Sequence, residues 1–260
     1  MSKPNLFIVG AQKCGTTSLH YYLDQHPDIF MTNLKEPHYF CSDLHQIDDA
    51  YSKDSFIKQK FSERFFPIRK KSDYLELFKF DSSLKYEGET SPAYLFSEVS
   101  AKKIYEYNPD SKIIIGLREP TDLMYSMYNY YYKNYRENAE TFDEALKLED
   151  KRKKGEKIPE KVTFPPELFY KEFATYSKQV SRFISVFPKD QIKIYFFEDF
   201  KEDNDAVYKS ILDFLDVEYF KPDYERKDLR LEESEKERPE DWDYDRYVYL
   251  VRQGKRLDWD

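Results

Sequence analysis

Two stretches carry residue types that bind and move charged groups. The first, Gly10-Ala11-Gln12-Lys13-Cys14-Gly15-Thr16-Thr17, spaces its glycines as G-x4-G. An apolar run, Asn5 to Val9, precedes it, and a segment of helical composition, Thr16 to Gln25, follows. Strand, glycine loop and helix in that order cradle a phosphate, because successive backbone N–H groups turn inward with the helix N-terminus behind them. A loop for a nucleoside triphosphate places lysine directly after the second glycine, to reach the β- and γ-phosphates, and puts the next Ser/Thr on Mg²⁺. Thr16 holds that place here, and Lys13 sits inside the loop, where it reaches a shorter phosphate chain.

The second stretch, Lys112 to Leu117 (KIIIGL), reads as a buried strand and ends in Arg118-Glu119-Pro120. A Mg²⁺-dependent P-loop enzyme commonly has an acid there, whereas this strand delivers a cation. A guanidinium at the C-terminal edge of a parallel sheet faces the ligand crevice and grips phosphate through paired hydrogen bonds. Ser126, eight residues on, offers a hydroxyl to the same anion. Together the stretches suit a nucleotide with phosphates at two separated places. Glu36, in a turn after the second strand, can take a proton; His38 is the rival base and Lys35 an ion-pair partner for Glu36. No His/Cys/Asp/Glu group has metal-ligand spacing, so no metal is expected. Tyr125, Tyr128, Tyr130, Tyr131, Tyr132 and Tyr135 read as core and half-exposed packing before a sugar-facing platform. Lys151-Arg152-Lys153-Lys154 reads as a solvated helix end.

These groups need a scaffold that brings strand ends together. Short strands are expected at 5–9, 29–32, 85–89, 112–117 and 191–196, alternating with helices. Helices are expected over 55–65, 72–80, 97–107, 120–135, 168–186 and 205–215. Pro120 suits a first helical turn, and Thr141 with Glu144 forms a capping-box pattern that starts one more helix. The alternation predicts an α/β, P-loop-type three-layer fold, a central parallel sheet of about five strands flanked by helices. One domain is expected over residues 1–260, with 220–260 a wrapping tail.

Composition narrows the function classes. Average usage would give roughly 18 glycines; the chain has 6, so Gly10 and Gly15 carry information. The 24 Tyr and 21 Phe are ample for a core, which argues against disorder. A net charge of −8 argues against a general nucleic-acid binder, so an anionic ligand must be held by a local cluster. Two cysteines make no disulfide framework, and no apolar run is long enough to span a bilayer. A soluble, cytoplasmic protein is expected.

The same motifs, in the same order, resemble those of sulfotransferases that use 3′-phosphoadenosine 5′-phosphosulfate (PAPS), especially the heparan sulfate sulfotransferase branch and its bacterial relatives. FIVGAQKCGTTSLHYYL resembles their 5′-phosphosulfate loop, and IIIGLREPTDLMYSMYNYY their 3′-phosphate motif, R-x7-S. HPDIFMTNLKEPHYF resembles the segment with the catalytic glutamate, and GETSPAYLF the strand-loop beside the acceptor. Tyr176 with FPKDQIKIYFFEDF, ILDFLDV and GKRLDW resemble later landmarks. The resemblance implies that Lys13, Cys14, Gly15, Thr16, Thr17 and Ser18 hold the 5′-phosphosulfate and that Arg118 and Ser126 hold the 3′-phosphate. It implies Glu36 as general base, with Lys13 neutralising charge on the bridging oxygen. PAPS is then the donor co-substrate, and a glycan or small hydroxylated molecule the acceptor through a hydroxyl or amine. The acidic net charge favours a neutral or lightly charged acceptor over a densely sulfated one. Thr17 stands where that branch often has Arg, Thr90 where many members have Lys, and Leu123 where Arg is frequent. A P-loop kinase or NTPase, or a non-catalytic nucleotide-binding protein of the same fold, are the alternatives.

Overall fold

The computed structural model describes residues 4–52, 65–162 and 164–225. Strands β1 (Leu6–Gly10), β2 (Ile29–Met31), β3 (Tyr86–Thr90), β4 (Lys112–Leu117) and β5 (Ile192–Phe196) form one sheet. Their order is β2-β3-β1-β4-β5 and every pairing is parallel. Helices α1 (Thr16–Asp24), α2 (Ser42–Ser52), α3 (Lys71–Leu75), α4 (Ala93–Phe96), α5 (Ser100–Tyr107) and α6 (Pro120–Lys133) follow in chain order. So do α7 (Phe142–Arg152), α8 (Tyr170–Phe173), α9 (Tyr176–Ile184), α10 (Phe197–Glu202) and α11 (Asn204–Leu215). The expected parallel α/β sheet of five strands is observed.

Both sheet faces are covered, because β1 is apolar along its length and β4 from Ile113 to Ile115, and alternate residues point to opposite sides. Phe7, Val9, Ile113 and Ile115 pack into a large core with Tyr94, Ile104, Leu123 and Phe183. Leu6, Ile8 and Ile114 face the other way, onto Leu19 and Leu23 of α1 and Ile211, Leu212 and Leu215 of α11. Buried tyrosines add a hydrogen bond to the packing area of a ring. The Tyr86 hydroxyl donates to Leu215 O (2.9 Å) and that of Tyr208 to Tyr22 O (3.2 Å). No helix among the described residues is long and apolar enough to cross a membrane.

Element boundaries differ from expectation where side chains compete for the backbone. The helix expected over 168–186 is broken into a 3₁₀ turn, Pro165–Leu168, and the separate helices α8 and α9. The Gln179 amide donates to Glu172 O (2.9 Å) and Phe173 O (3.1 Å), satisfying carbonyls that the break exposes. Helix α3 stops at Leu75, well short of residue 80, and α2 forms where no element was expected. The Thr141 cap of α7 is present and accepts from Glu144 N (3.2 Å), but the Glu144 carboxylate reaches Glu140 N instead of closing the box on Thr141. The helix expected over 55–65 lies outside the described residues except for its last residue, as does the tail after residue 225.

Gly116 fits β4 because nothing larger does. A Cβ there would meet the Tyr195 ring and hydroxyl at 2.5 Å. That hydroxyl donates to Cys14 O (2.8 Å), so the clash bears on the loop after β1. Gly116→Ala is expected to cost about 1–3 kcal/mol of stability by overpacking, read as a lower denaturation midpoint. An unchanged midpoint would contradict this packing.

Candidate functional site

Four strands deliver their C-terminal ends to one edge of the sheet. There β1 runs into the glycine loop, β4 into Arg118, β3 into Thr90 and Ser91, and β2 toward Lys35, Glu36 and His38. With β3 and β4 on opposite sides of β1, this edge is where ligands bind in open α/β sheets.

The loop after β1 is shaped for an anion. Gly15 is the N-cap of α1 with φ of 76°, a left-handed conformation that costs glycine little, and Lys13 is also left-handed, with φ of 60°. No side chain caps α1 and no acid lies in its first turn, so its positive end is left to a ligand. The loop is held from outside. Ala11 N donates to Gly116 O (2.6 Å), the Tyr131 hydroxyl to Gln12 Oε1 (3.1 Å), and Arg118 Nη1 to Lys13 O (3.3 Å).

The expected site residues take different parts in this loop. Thr16 is buried at the helix start and Thr17 Oγ1 meets the Lys35 ammonium. Cys14 offers the loop its backbone: its thiol is fully buried and donates to Gln12 O (3.3 Å), and burial pushes it up to about 12. The Ser18 hydroxyl is bonded to Tyr22 one turn along α1. Desolvation lowers the Lys13 ammonium below its usual value, and neighbouring Arg118 lowers it further against the opposing pull of Glu36.

A cleft of about 380 Å³ runs between Lys13 of this loop and Arg118, and is lined further by Asp122, Ser126, Asn129, Tyr130 and Lys133 among others. Pro120 at the first turn and the Glu119 carboxylate accepting from Asp122 N (2.7 Å) start α6 so that Ser126, Asn129 and Lys133 share one face. Arg118 lies over the Phe197 ring, 4.7 Å from its centroid, and its buried Nε has no hydrogen-bond partner among the described residues. Lys13 Nζ stands 4.6 Å from the Tyr130 ring centroid.

Beside the loop, Glu36 is left-handed, with φ of 58°, and its N–H donates to Thr90 O (2.9 Å). Its side chain is 42% exposed; Lys35 Nζ lies 3.4 Å from Oε1 and His38 Nε2 3.8 Å from Oε2. Partial desolvation pushes the carboxyl up, but Lys35, His38 and Lys13 together bring it below its ordinary value. His38 Nδ1 donates to Phe65 O (2.8 Å), which fixes the tautomer and leaves a lone pair on Nε2. Nε2 is buried without a hydrogen-bond partner among the described residues, and burial lowers the imidazole pKa against the opposing pull of Glu36.

Sequence reasoning took Lys35 only as a surface partner for Glu36, yet it bridges that carboxylate to Thr17 on α1. Asn129 and Lys133 went unnoticed although their spacing from Ser126, three and seven residues on, would have found them on the same helix face. One expectation is overturned: Arg152 is not a solvated helix end. It is fully buried, with Nη1 and Nη2 on the Glu137 carboxylate at 2.7 and 2.5 Å. A guanidinium out of water must find such a two-pronged partner. Among the described residues no three or more His, Cys, Asp and Glu side chains gather in a way that could hold a metal ion.

The profile of a family described as a sulfotransferase domain matches residues 3–237. A solved sulfotransferase from Alicyclobacillus acidocaldarius is 33% identical, with a TM-score of 0.74, and each chain is 90% covered. The chain is 28% identical over 127 residues to the membrane-associated sulfotransferase kil1 of Dictyostelium discoideum, spanning 49% of this chain and 23% of that one. It is 24% identical over 178 residues to mouse (Mus musculus) carbohydrate sulfotransferase 15, spanning 55% of this chain and 30% of that one. The chain thus spans less than a third of the length of these two curated relatives.

The charge arrangement is testable without any ligand. Lys35 is the strongest of the attractions that hold the Glu36 carboxyl below 4.5. In Lys35→Met the carboxyl is expected to titrate at higher pH than in the wild type, followed by carbon-13 NMR. An unmoved titration would mean that Lys35 does not face Glu36.

Proposed function

The chain belongs to the sulfotransferase family, and on that basis we propose that it transfers a sulfuryl group from PAPS to a hydroxyl or amine of a carbohydrate or small hydroxylated acceptor. The observation that carries this reading is that Lys13, from the loop after β1, meets Arg118 and Ser126, from beyond the adjacent strand β4, on one cleft, with the Glu36 carboxylate near enough to act on Lys13. A donor with phosphates at two separated places spans that cleft. The 5′-phosphosulfate lies on the β1 loop, held by Lys13, Gly15, Thr16 and Thr17 and by the backbone of Cys14 and Ser18. The 3′-phosphate lies on Arg118, whose buried Nε has no partner among the described residues, and on Ser126.

In-line transfer then assigns a part to each group. Glu36, ionised across the neutral range, takes the proton from the acceptor as its oxygen or nitrogen bonds to sulfur. The bond between sulfur and the bridging oxygen breaks, and Lys13 neutralises the charge left on the 5′-phosphate. The lone pair on His38 Nε2 faces Glu36 and accepts a hydrogen bond from the newly protonated carboxyl, so the proton stays off the acceptor. Acceptor choice belongs to the surface beyond Glu36.

Two measurements test this reading. Adenosine 3′,5′-bisphosphate without metal is expected to raise the melting temperature, and ADP with Mg²⁺ to raise it little; the reverse ranking sinks the proposal. Glu36→Gln is expected to keep the bisphosphate affinity within about twofold and to lose about 10²-fold or more in transfer from PAPS. Unchanged turnover would remove Glu36 from its role.

A further inference from the structure

Glu89 is a carboxylate that the scheme above leaves unused. It sits on β3, opposite Phe7 of β1, and is fully buried. Three hydroxyls donate to it: Tyr74 to Oε1 (3.0 Å), Tyr94 to Oε1 (2.8 Å) and Ser91 to Oε2 (2.6 Å). Burial still pushes its carboxyl up to about 7 against the pull of those donors. A carboxylate in the core costs stability that an apolar residue would not, so its place asks for a reason.

The donors lead to the segment that carries Glu36 and His38. Ser91 Oγ, while donating to Glu89, accepts from His38 N (3.1 Å), and Tyr94 Oη, likewise donating to Glu89, accepts from Phe40 N (3.3 Å). Glu36 N is tied to Thr90 O (2.9 Å), so residues 36, 38 and 40 are pinned to the end of β3, to Ser91 after it and to Tyr94 of α4. On its other side, His38 O accepts from the Cys41 thiol (2.9 Å) and is met by His45 Nε2 (2.7 Å). Glu36 and His38 are both left-handed, at φ of 58° and 53°, a conformation that non-glycine residues keep only when surroundings enforce it. Backbone N–H and C=O of His38 and its Nδ1 are all engaged, and Nε2 is the polar atom left toward Glu36.

We infer that Glu89 is a positioning residue for the transfer: through the Ser91 hydroxyl it fixes the His38 backbone, and so holds His38 Nε2 and the Glu36 carboxylate aimed at the sulfuryl group. Glu89 orients the Ser91 hydroxyl by accepting its proton, which presents the oxygen lone pairs to His38 N. An amide in place of the carboxylate turns an NH₂ toward Ser91 and makes the serine accept twice. The inference rests on the reading of Glu36 as the base.

The test compares Ser91→Ala, Glu89→Gln, their double variant and Tyr74→Phe in the full chain. Tyr74→Phe removes one donor from Glu89 and keeps the ring that stacks on Tyr39 and meets Phe40 edge-on. Ser91→Ala and Glu89→Gln are each expected to lower kcat by about tenfold or more, because small misplacements of reacting groups are costly. KM for PAPS and the affinity for adenosine 3′,5′-bisphosphate should stay within about twofold, and the double variant should be no slower than the slower single one. Tyr74→Phe should lower the melting temperature while keeping kcat within about threefold. A wild-type kcat in Ser91→Ala, or kcat losses that track melting temperature across the set including Tyr74→Phe, overturns the positioning role. Ser91→Ala decides the matter if Glu89→Gln does not fold. Should wild-type protein bind the bisphosphate but transfer from PAPS to no acceptor, the transferase reading fails by itself. The pinning is then read from the His38 imidazole nitrogen-15 signals, expected to keep the Nδ1–H tautomer in wild type and to lose it in Ser91→Ala. An unchanged pattern overturns it.

Discussion

The turn from β1 into α1 governs the rest of the molecule. A helix whose first turn has neither a capping side chain nor an acid leaves its N–H groups and dipole to a ligand, and a left-handed lysine and glycine bend the chain around that space. Such a loop makes little of its own structure and must be held by its neighbours. Four elements contribute: β4 through Gly116 and Arg118, β5 through Tyr195, α6 through Tyr131, and α10 through Phe200, whose ring lies 2.9 Å from where a Gly15 Cβ would stand. Glycine scarcity follows from the same constraint. The chain keeps glycine where backbone must come close, and fills space elsewhere with aromatic rings.

Charge is arranged by distance from water. At the half-exposed rim, Lys35, Glu36 and Lys13 influence one another without any of them being tightly sequestered, so the carboxylate stays ionised and the loop lysine is eased below its usual range. Deeper in, Arg152 is matched by both oxygens of Glu137 and Glu89 by three hydroxyls. The abundance of tyrosine makes sense in these terms, since a tyrosine ring packs like phenylalanine and still brings a donor to a buried carbonyl or carboxylate.

The position of Glu36 depends on groups deeper in the fold. Its backbone is held to Thr90, its carboxylate lies between Lys35 and His38, and His38 in turn is fastened through Ser91 to Glu89. The chain from the buried core to the reacting edge is made of ordinary hydrogen bonds between 2.6 and 3.1 Å.

Local features were legible in the amino-acid order: the glycine loop and its misplaced lysine, the apolar strands, Arg118 at a strand end with Ser126 eight residues on, and Pro120 opening α6. Each depends on neighbours within a turn or two, where periodicity and backbone preference act directly. Contacts across the fold were not legible. The partners Glu89 and Tyr74, Glu137 and Arg152, and Thr17 and Lys35 are each separated by 15 to 18 positions, and Ser91 and His38 by 53. Nothing in the residue types says which hydroxyl will face which carboxylate. That is settled when parallel strands take their register and the elements after them pack, because register places the ends of β1, β3 and β4 side by side and burial then forces each polar group left inside to find a partner. The sequence therefore determined which groups were available for anion binding and proton transfer, and the tertiary structure decided which of them are held, and by what.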